Sequence, residues 1–189
     1  MATILASGSP RRKQLLEMLG LHFTVQPAKG EEIIPAGAGP EETVLTLSRQ
    51  KAAAVAAEAQ AEDLIIAADT IVWYNGVILG KPKDEQEAAR MLSFLSGNTH
   101  RVYTGVTVRR GEQVLSVAEK TDVKFRKLTG KEIDAYIATG EPMDKAGSYG
   151  IQGLGSMFVE GIVGDFFNVM GLPVCRLGKM LKELGVEIL

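Results

Sequence analysis

The chain has 189 residues, of which 21 are basic and 23 acidic, and its formal net charge at pH 7 is -2. A charge balance this close to neutral excludes a global field that would recruit long nucleic acid or an anionic membrane, so any bound anion must be held locally. The composition, 46% hydrophobic and 23% charged, is that of a globular protein, and the length favours one domain over residues 1–189.

Cysteine content and the N-terminal sequence bear on the cellular compartment. Cys175 is the single cysteine, which excludes an intramolecular disulfide and a thiolate zinc cluster. We expect it to be a small core residue. The apolar run in MATILASGSPRR is too short for a signal peptide, and no stretch reaches the ~20 apolar residues of a membrane helix. The prediction is a cytoplasmic protein without membrane contact.

The N-terminal segment predicts a strand, a loop and a helix in succession. Thr3–Ala6 is short and apolar, and residues 7–9 form a loop that contains glycine. Pro10 occupies the first helical position, and an apolar stripe with helical spacing continues to Gly20. Phe23–Val25 is a second candidate strand.

The middle of the chain predicts an alanine-rich helix and then a hairpin. The helix follows a loop at Glu31–Pro40 that is rich in glycine and proline. Leu64–Ala67 is a buried strand that ends at Asp69 and its neighbours. Ile71–Trp73 and Val77–Leu79 flank an Asn-Gly turn and are typical of a hairpin.

The second half continues the alternation of helices and strands. The predicted elements are a helix capped by Asp84, alternating strands at His100–Arg109 and Val114–Phe125, a helix from Thr129 to Thr139, a loop at Gly140–Gly155, a strand at Ser156–Ile162 and a helix at Leu172–Leu184. Together they predict an α/β fold with a mixed, mostly antiparallel central sheet flanked by helices, as one domain in two lobes.

The segment Ser7-Gly8-Ser9-Pro10-Arg11-Arg12 predicts an anion site. A strand that leads through a glycine loop into a helix N-terminus directs backbone N–H groups at one point. Serine hydroxyls add donors, and Arg11 and Arg12 add guanidinium groups whose geometry matches phosphate oxygens. The alternative is an ordinary helix start, with Ser9 as N-cap and both arginines on a solvated face.

Asp69 is a carboxylate at the end of an otherwise apolar strand, where packing gives it no reason to be. Strand ends in α/β sheets are where ligand clefts open, so we interpret Asp69 as functional. The alternative is that it caps a turn with Thr70. Lys81 follows the hairpin and is placed to reach the same cleft, although lysines after turns are usually solvated.

Two further charged segments lie near the alanine-rich helix. Glu31 and Glu32 are candidates for a metal carboxylate, but such a pair in a loop is more often solvated. Lys51 begins the alanine-rich part of the helix, so its stem can cross a face of small residues toward phosphates. His22 and His100 lack companions at metal-ligand spacing, which argues against zinc catalysis.

Glycines are dense between Gly140 and Gly155, which indicates a loop whose backbone approaches something closely. Asp144 and Lys145 can pair within it. Gln152 presents an amide that can read a base edge with both a donor and an acceptor. A tight structural loop is the alternative.

The chain resembles the Maf (septum formation inhibitor-like) family from Leu5 to Leu177. The motifs that carry the resemblance are LASGSPRRKQLL, SRQKA, AADTIV, LGKPKD, LSGNTHRVYTGV, GEPMDKAGSYGIQG and NVMGLPV. The resemblance implies a mixed α/β sheet split by a deep cleft, related to inosine triphosphatase-like pyrophosphatases.

The resemblance also implies an activity and its residues. The activity is cleavage of a nucleoside triphosphate between the α and β phosphates, with a divalent cation, Mg²⁺ or alternatively Mn²⁺ or Co²⁺. Asp69 matches the proton acceptor and, with Glu32, the metal site. The matching substrate positions are Ser7, Ser9, Arg11, Arg12, Lys51, Thr70, Lys81 and Gln152, of which Arg11, Thr70 and Gln152 are linked to substrate choice.

The form GSYGIQG resembles the branch of the family that acts on dTTP and UTP, so these nucleotides, including modified pyrimidines, are the expected substrates. A 7-methyl-GTP pyrophosphatase and a non-enzymatic nucleotide-binding regulator of cell division are the alternatives. Family analogy also makes a homodimer an expectation. Sequence does not separate a general base from a metal ligand at Asp69.

Overall fold

Strands and helices alternate along the chain in the computed structural model, which describes residues 2–189. The strands are β1 (Thr3–Leu5), β2 (Thr24–Val25), β3 (Leu64–Tyr74), β4 (Val77–Leu79), β5 (Thr99–Arg110), β6 (Gln113–Phe125) and β7 (Val159–Val163). The α-helices are α1 (Pro10–Met18), α2 (Pro40–Ala56), α3 (Glu85–Leu95), α4 (Gly130–Ala138), α5 (Phe166–Met170) and α6 (Val174–Glu183). Turns of 3₁₀ helix occupy Glu141–Asp144, Ala146–Ser148 and Gly153–Phe158.

The strands form a mixed sheet in the order β2-β1-β3-β5-β6-β7, with β4 paired to β3. β1 is parallel to both β2 and β3. β4 is antiparallel to β3, and β7 to β6. β5 and β6 are joined by two residues, 111–112, a connection that antiparallel neighbours can make and parallel ones cannot. The predicted α/β class, a mixed sheet flanked by helices, is confirmed.

The residues group into two compact units. The first comprises the chain up to Asp69 with Thr104–Glu119 and Gly171–Leu189, and the second comprises Thr70–Tyr103 with Lys120–Met170. β3, β5 and β6 each contribute residues to both units. Among residues 2–189, no helix combines the length and the apolar character needed to cross a bilayer.

The first unit buries small aliphatic side chains between α2 and the parallel strands. Ile4 and Ala6 pack with Ile65 and Ala67 of β3, and α2 contributes Ala52 and Val55 to the same cluster. α2 approaches β5 closely at Gly105, where an added Cβ would lie 2.2 Å from the carbonyl oxygen of Val44. A side chain at position 105 would therefore push the helix away from the sheet.

The second unit has an aromatic core. Phe125 contacts the rings of His100, Tyr149 and Phe158 edge to face, and Tyr136 of α4 packs on Phe158 in the same way. Edge-to-face contacts pair the positive edge of one ring with the negative face of the next.

The hairpin between β3 and β4 is built as the Asn-Gly signal predicts. Tyr74 pairs with Val77, which leaves Asn75 and Gly76 as the two turn residues, with φ of 49° and 82°. Positive φ at both positions is the type I′ turn that matches the twist of the strands.

One predicted break in a strand is absent. β3 runs without interruption from Leu64 to Tyr74, so the expectation that the strand ends at Asp69 was wrong. The residues after Asp69 are β-branched or aromatic, and those from Val72 onward pair with β4. Asp69 is tolerated within the strand because a lysine on α2 compensates its charge.

The C-terminal elements also differ from the prediction. A short helix, α5, was missed, and the strand expected from Ser156 begins at Val159 after a 3₁₀ turn. Cys175 was expected in the core, but it is exposed. It lies on the polar side of α6, whose buried side is formed by Leu177, Met180 and Leu181.

Candidate functional site

A cluster of opposite charges in the first unit brings together three residues singled out in the sequence. The Lys51 ammonium lies 2.9 Å from Glu32 Oε1 and directly contacts Asp69 Oδ1. The Asp69 side chain is 13% exposed and that of Lys51 18%, whereas that of Glu32 is 53% exposed. The cluster therefore has an enclosed end at Asp69 and an open end at Glu32.

Gln50 tethers the loop that carries Glu32 to helix α2. Its Nε2 donates to the carbonyl oxygen of Ile33 at 2.6 Å, and its Oε1 accepts from the Ile33 N–H at 3.0 Å. Gln50 directly precedes Lys51 in the chain, so these paired bonds hold the backbone next to Glu32 beside the start of the Lys51 segment. Sequence reasoning missed Gln50, and its place within the motif SRQKA was the available signal.

The loop before α1 is organised by Arg12. The Arg12 side chain is buried, its Nε donates to the Gly171 carbonyl oxygen at 2.8 Å, and its Nη1 donates to Ser7 Oγ at 3.0 Å. Ser7 Oγ also accepts from the Ser9 N–H at 3.2 Å. The alternative of a solvated Arg12 is therefore wrong. Ser9 occupies the N-cap position, but its side chain makes no capping hydrogen bond.

Arg12 is a buried cation in the field of the charged cluster. Burial lowers the pKa of Arg12, while the negative charge of Asp69 acts to raise it. Arginine stays protonated in proteins even so. Arg11, which is half-buried, adds a second positive charge to the same turn. The first unit thus holds cationic groups from α1 and α2 close to a buried carboxylate.

The carboxylates of Glu32 and Asp69 fit a hard divalent cation. In the structure they converge on one positive charge, the Lys51 ammonium. Mg²⁺ is typically bound through one or two carboxylates, with water and substrate phosphates as its other ligands. No group of three or more His, Cys, Asp or Glu side chains suited to a metal occurs within residues 2–189.

The second unit contains the other predicted substrate residues, Thr70, Lys81 and Gln152. Their segments are held together around Gly147, whose N–H donates to the Gly80 carbonyl oxygen at 3.0 Å. An added Cβ at Gly147 would lie 2.7 Å from the Val72 side chain. The glycine-rich loop at Gly147 is thus in contact with the Val72 side chain of β3 and with the segment that carries Lys81, all within this unit.

The exposure of these three side chains differs. Lys81 is exposed, and Thr70 is half-buried. Gln152 is also half-buried, and among residues 2–189 its carboxamide makes no hydrogen bond. The predicted pairing of Asp144 with Lys145 is confirmed, with 2.7 Å between Oδ1 and Nζ.

Two residues that position the glycine-rich loop, Glu141 and Tyr136, were not singled out in the sequence. The Glu141 carboxylate accepts hydrogen bonds from the N–H groups of Leu154 and Gly155 and from the Tyr136 hydroxyl. Glu141 lies inside the motif GEPMDKAG, but nothing in the local sequence indicates that its side chain turns back onto residues 13 or 14 positions later.

Comparison with known proteins identifies a matching family and relatives that share about half of their residues with this chain. The sequence model of the family described as "Maf-like protein" matches residues 2–184. A protein of Bacillus cereus (strain ATCC 10987 / NRS 248) named dTTP/UTP pyrophosphatase is 51% identical over 98% of this chain and 91% of its own length. A protein of Agathobacter rectalis with the same name is 55% identical over 98% of both chains.

A solved structure, the nucleoside-triphosphatase / dITP/XTP pyrophosphatase of Mycobacterium abscessus, aligns with 97% of this chain and 94% of its own, at 14% identity and a TM-score of 0.40.

Proposed function

Because the chain belongs to the Maf-like protein family, we propose that it hydrolyses dTTP and UTP to the nucleoside monophosphate and pyrophosphate. The observation that carries the proposal is identity of 51% and 55%, over 98% of this chain, to two relatives named dTTP/UTP pyrophosphatase. The charged cluster of the first unit supports it, because a carboxylate can activate the attacking water in phosphoanhydride hydrolysis and cations can stabilise the charge on the phosphates.

In the proposed reaction, a water oxygen bonds to one of the two phosphorus atoms of the α–β bridge. The bond from that phosphorus to the bridging oxygen breaks, so attack at the α phosphorus expels pyrophosphate and attack at the β phosphorus expels the monophosphate. Asp69 orients this water and receives its proton before the proton passes to solvent. Lys51 contacts both carboxylates in the structure, and its long side chain can turn to phosphate oxygens when a nucleotide is present.

We propose Glu32 and Asp69 as the residues that hold a divalent cation, with Mg²⁺ preferred and Mn²⁺ or Co²⁺ accepted. Such a cation, when bound, neutralises the charge that develops on the phosphate oxygens. The residues proposed to bind the triphosphate are Ser7, Ser9, Arg11 and Arg12. Since two nitrogens of Arg12 already bond to Ser7 and Gly171, its role is to supply charge and to hold the loop in shape.

On the family resemblance, the residues of the second unit that are proposed to act on the nucleotide are Thr70, Lys81 and Gln152. Lys81 adds a positive charge for the phosphates, while Thr70 and Gln152 contribute to the choice of base. Thymine and uracil present a donor at N3 between two carbonyl acceptors. A carboxamide can donate its NH₂ to a carbonyl and accept the N3 proton, so Gln152 matches this edge.

A nucleotide panel with Mg²⁺ tests the proposed function, with pyrophosphate and orthophosphate measured separately. We expect pyrophosphate release from dTTP and UTP and much slower release from ATP and GTP. Fastest release from 7-methyl-GTP would replace the proposed substrate. Binding of dTTP with no release of pyrophosphate would indicate a nucleotide-binding regulator and would contradict the proposed hydrolysis.

We further propose, on the family resemblance, that the protein acts in the cytoplasm as a homodimer whose protomer is one domain. Light scattering after gel filtration tests the dimer, and a monomeric mass at micromolar concentration would contradict it.

A further inference from the structure

Glu141 holds the part of the glycine-rich loop that follows Gln152. Its Oε2 accepts the Leu154 N–H at 3.1 Å, and its Oε1 accepts the Gly155 N–H at 3.1 Å. Both carboxylate oxygens are therefore bonded to the backbone two and three residues beyond Gln152. Charged acceptors form stronger hydrogen bonds than neutral ones, so this anchor is stronger than an ordinary turn contact.

Tyr136 extends the anchor to the residues before Gln152. Its hydroxyl donates to Glu141 Oε1 at 2.9 Å and accepts the Gly150 N–H at 3.1 Å. The ring is buried on α4 and packs on Phe158, so the hydroxyl is fixed in place. The pair formed by Glu141 and Tyr136 thus bonds the backbone on both sides of Gln152.

Three glycines of the loop lie close to this pair or to Lys145. An added Cβ at Gly153 would lie 2.8 Å from Glu141 Oε2, and one at Gly155 would lie 2.7 Å from the Tyr136 hydroxyl. At Gly150 it would lie 2.8 Å from the Lys145 side chain. The loop therefore fits closely around the anchoring groups, and its shape depends on them.

The charge state of the anchor suits this role. Burial acts to raise the pKa of Glu141, but the hydrogen bonds from Gly155, Leu154 and Tyr136 outweigh it and the pKa is lowered. Burial raises the pKa of Tyr136, so that its hydroxyl keeps its proton. At neutral pH an ionised carboxylate thus accepts three hydrogen bonds.

Gln152 itself is held by its backbone and not by its side chain. Its carboxamide is half-buried and makes no hydrogen bond within residues 2–189. We propose that Glu141 is a positioning residue that fixes the backbone of Gln152 so that its carboxamide selects pyrimidine nucleotides. This inference rests on the proposed function, in which Gln152 contacts the base.

The test compares Glu141→Gln with Asp144→Asn, which neutralises an exposed carboxylate of the same 3₁₀ turn. Glu141→Gln keeps the side-chain shape but replaces one acceptor oxygen with a donor that faces other donors. We expect kcat/KM for dTTP and UTP to fall ~10-fold, mainly through KM, and kcat/KM for ATP and GTP to change less than ~3-fold. Asp144→Asn should leave kcat/KM for dTTP and UTP, and for ATP and GTP, as in the wild type.

Two further variants separate positioning from folding. Tyr136→Phe removes one hydroxyl with little change in packing and should reduce pyrimidine preference in the same direction. In a Gln152→Ala background, Glu141→Gln should cause no further loss of preference, because the group that it positions is gone. Circular dichroism spectra should show that each variant is folded.

Equal losses for every nucleotide, or an additional loss in the Gln152→Ala background, would overturn the inference. Calorimetric binding of dTTP and ATP in the absence of metal distinguishes its failure from that of the proposed function. If the wild type binds dTTP selectively but releases no pyrophosphate, only the proposed function is contradicted. The variants are then compared by their affinities for dTTP and ATP. A wild type that binds both nucleotides equally overturns the role of Glu141.

Discussion

Asp69 is a buried carboxylate within strand β3. A carboxylate in an apolar strand indicates function because burial of an unpaired charge is costly. The strand nevertheless continues through it, since Lys51 lies against the carboxylate. The compensating residue is 18 positions away in sequence, on another element, and no local pattern reports that contact.

The first residue-scale prediction is that Asp69→Asn lowers kcat by at least ~100-fold, the scale of a lost general base or metal carboxylate. Asp63→Asn is the matched control, because Asp63 is equally buried, at 9% exposure, and also belongs to the first unit. Its carboxylate accepts the backbone N–H groups of Ala2 and Gln60 and so has a structural role. Rates of pyrophosphate release near wild type in Asp69→Asn would remove Asp69 from the mechanism.

The second residue-scale prediction concerns His100, which is buried in the aromatic core of the second unit. Burial lowers the pKa of His100 from 6.5 to about 4. Between these values the unfolded chain takes up a proton that the folded chain does not. Stability from this group is therefore present above pH 6.5 and lost as the pH falls toward 4, by up to ~3 kcal/mol.

Urea unfolding at pH 7 and pH 4.5 measures this effect. The loss of stability on acidification should be smaller in His100→Gln than in the wild type, and unchanged in His22→Gln, since His22 is exposed. Identical losses in the wild type and in His100→Gln would contradict the assignment.

At the scale of elements, the turn and the helix caps that were predicted from signals local in sequence are confirmed. The Asn75-Gly76 turn needs only its own backbone angles, and the helix caps at Asp84 and Thr129 need a partner three residues away. The 3₁₀ turns between Glu141 and Phe158 were expected as loop. The last of them, Gly153–Phe158, is held by hydrogen bonds to Glu141, which lies 13 and 14 positions earlier than its partners. The helix α5 was missed because it is only five residues long, although Asp165 caps its first turn by accepting the Phe167 N–H at 2.8 Å.

The element-scale prediction is that two glycine-to-alanine changes in the first unit have opposite effects. Gly105→Ala places a Cβ against the backbone of α2, so it should destabilise the protein by ~3 kcal/mol or more. It should also reduce activity, because α2 carries Lys51. Gly178→Ala, in the interior of α6 with open space at its Cβ, should stabilise by ~0.5 to 1 kcal/mol.

Thermal unfolding and pyrophosphate release measured on both variants check this prediction. A Gly105→Ala protein with wild-type melting temperature would show that the contact between α2 and β5 is looser than the structure has it.

For the whole molecule, the charged residues of the candidate site were predicted from the sequence with the help of the family resemblance. The residues that hold the loops of the site in place were not predicted. Gln50 and Glu141 act through hydrogen bonds to backbone groups 13 to 17 positions away, and such contacts arise only when the chain has folded. Charged and polar residue types indicate chemistry in a sequence. The residues that hold them in position are recognised only by their contacts in the folded chain.

The prediction for the whole molecule is a single cooperative unfolding transition. β3, β5 and β6 have residues in both compact units, so unfolding of either unit disrupts strands that continue into the other. Calorimetry and circular dichroism should give the same midpoint. Two separated transitions would assign the units to independent domains.

The central claim is that the phosphoanhydride bond between the α and β phosphates is the bond that is cleaved. ³¹P NMR of dTTP incubated with the protein and Mg²⁺ tests it most directly, because each possible product has its own resonances. The account predicts that the three signals of dTTP are replaced by those of dTMP and pyrophosphate in equal amounts. Appearance of dTDP with orthophosphate, or persistence of the dTTP signals, would contradict it.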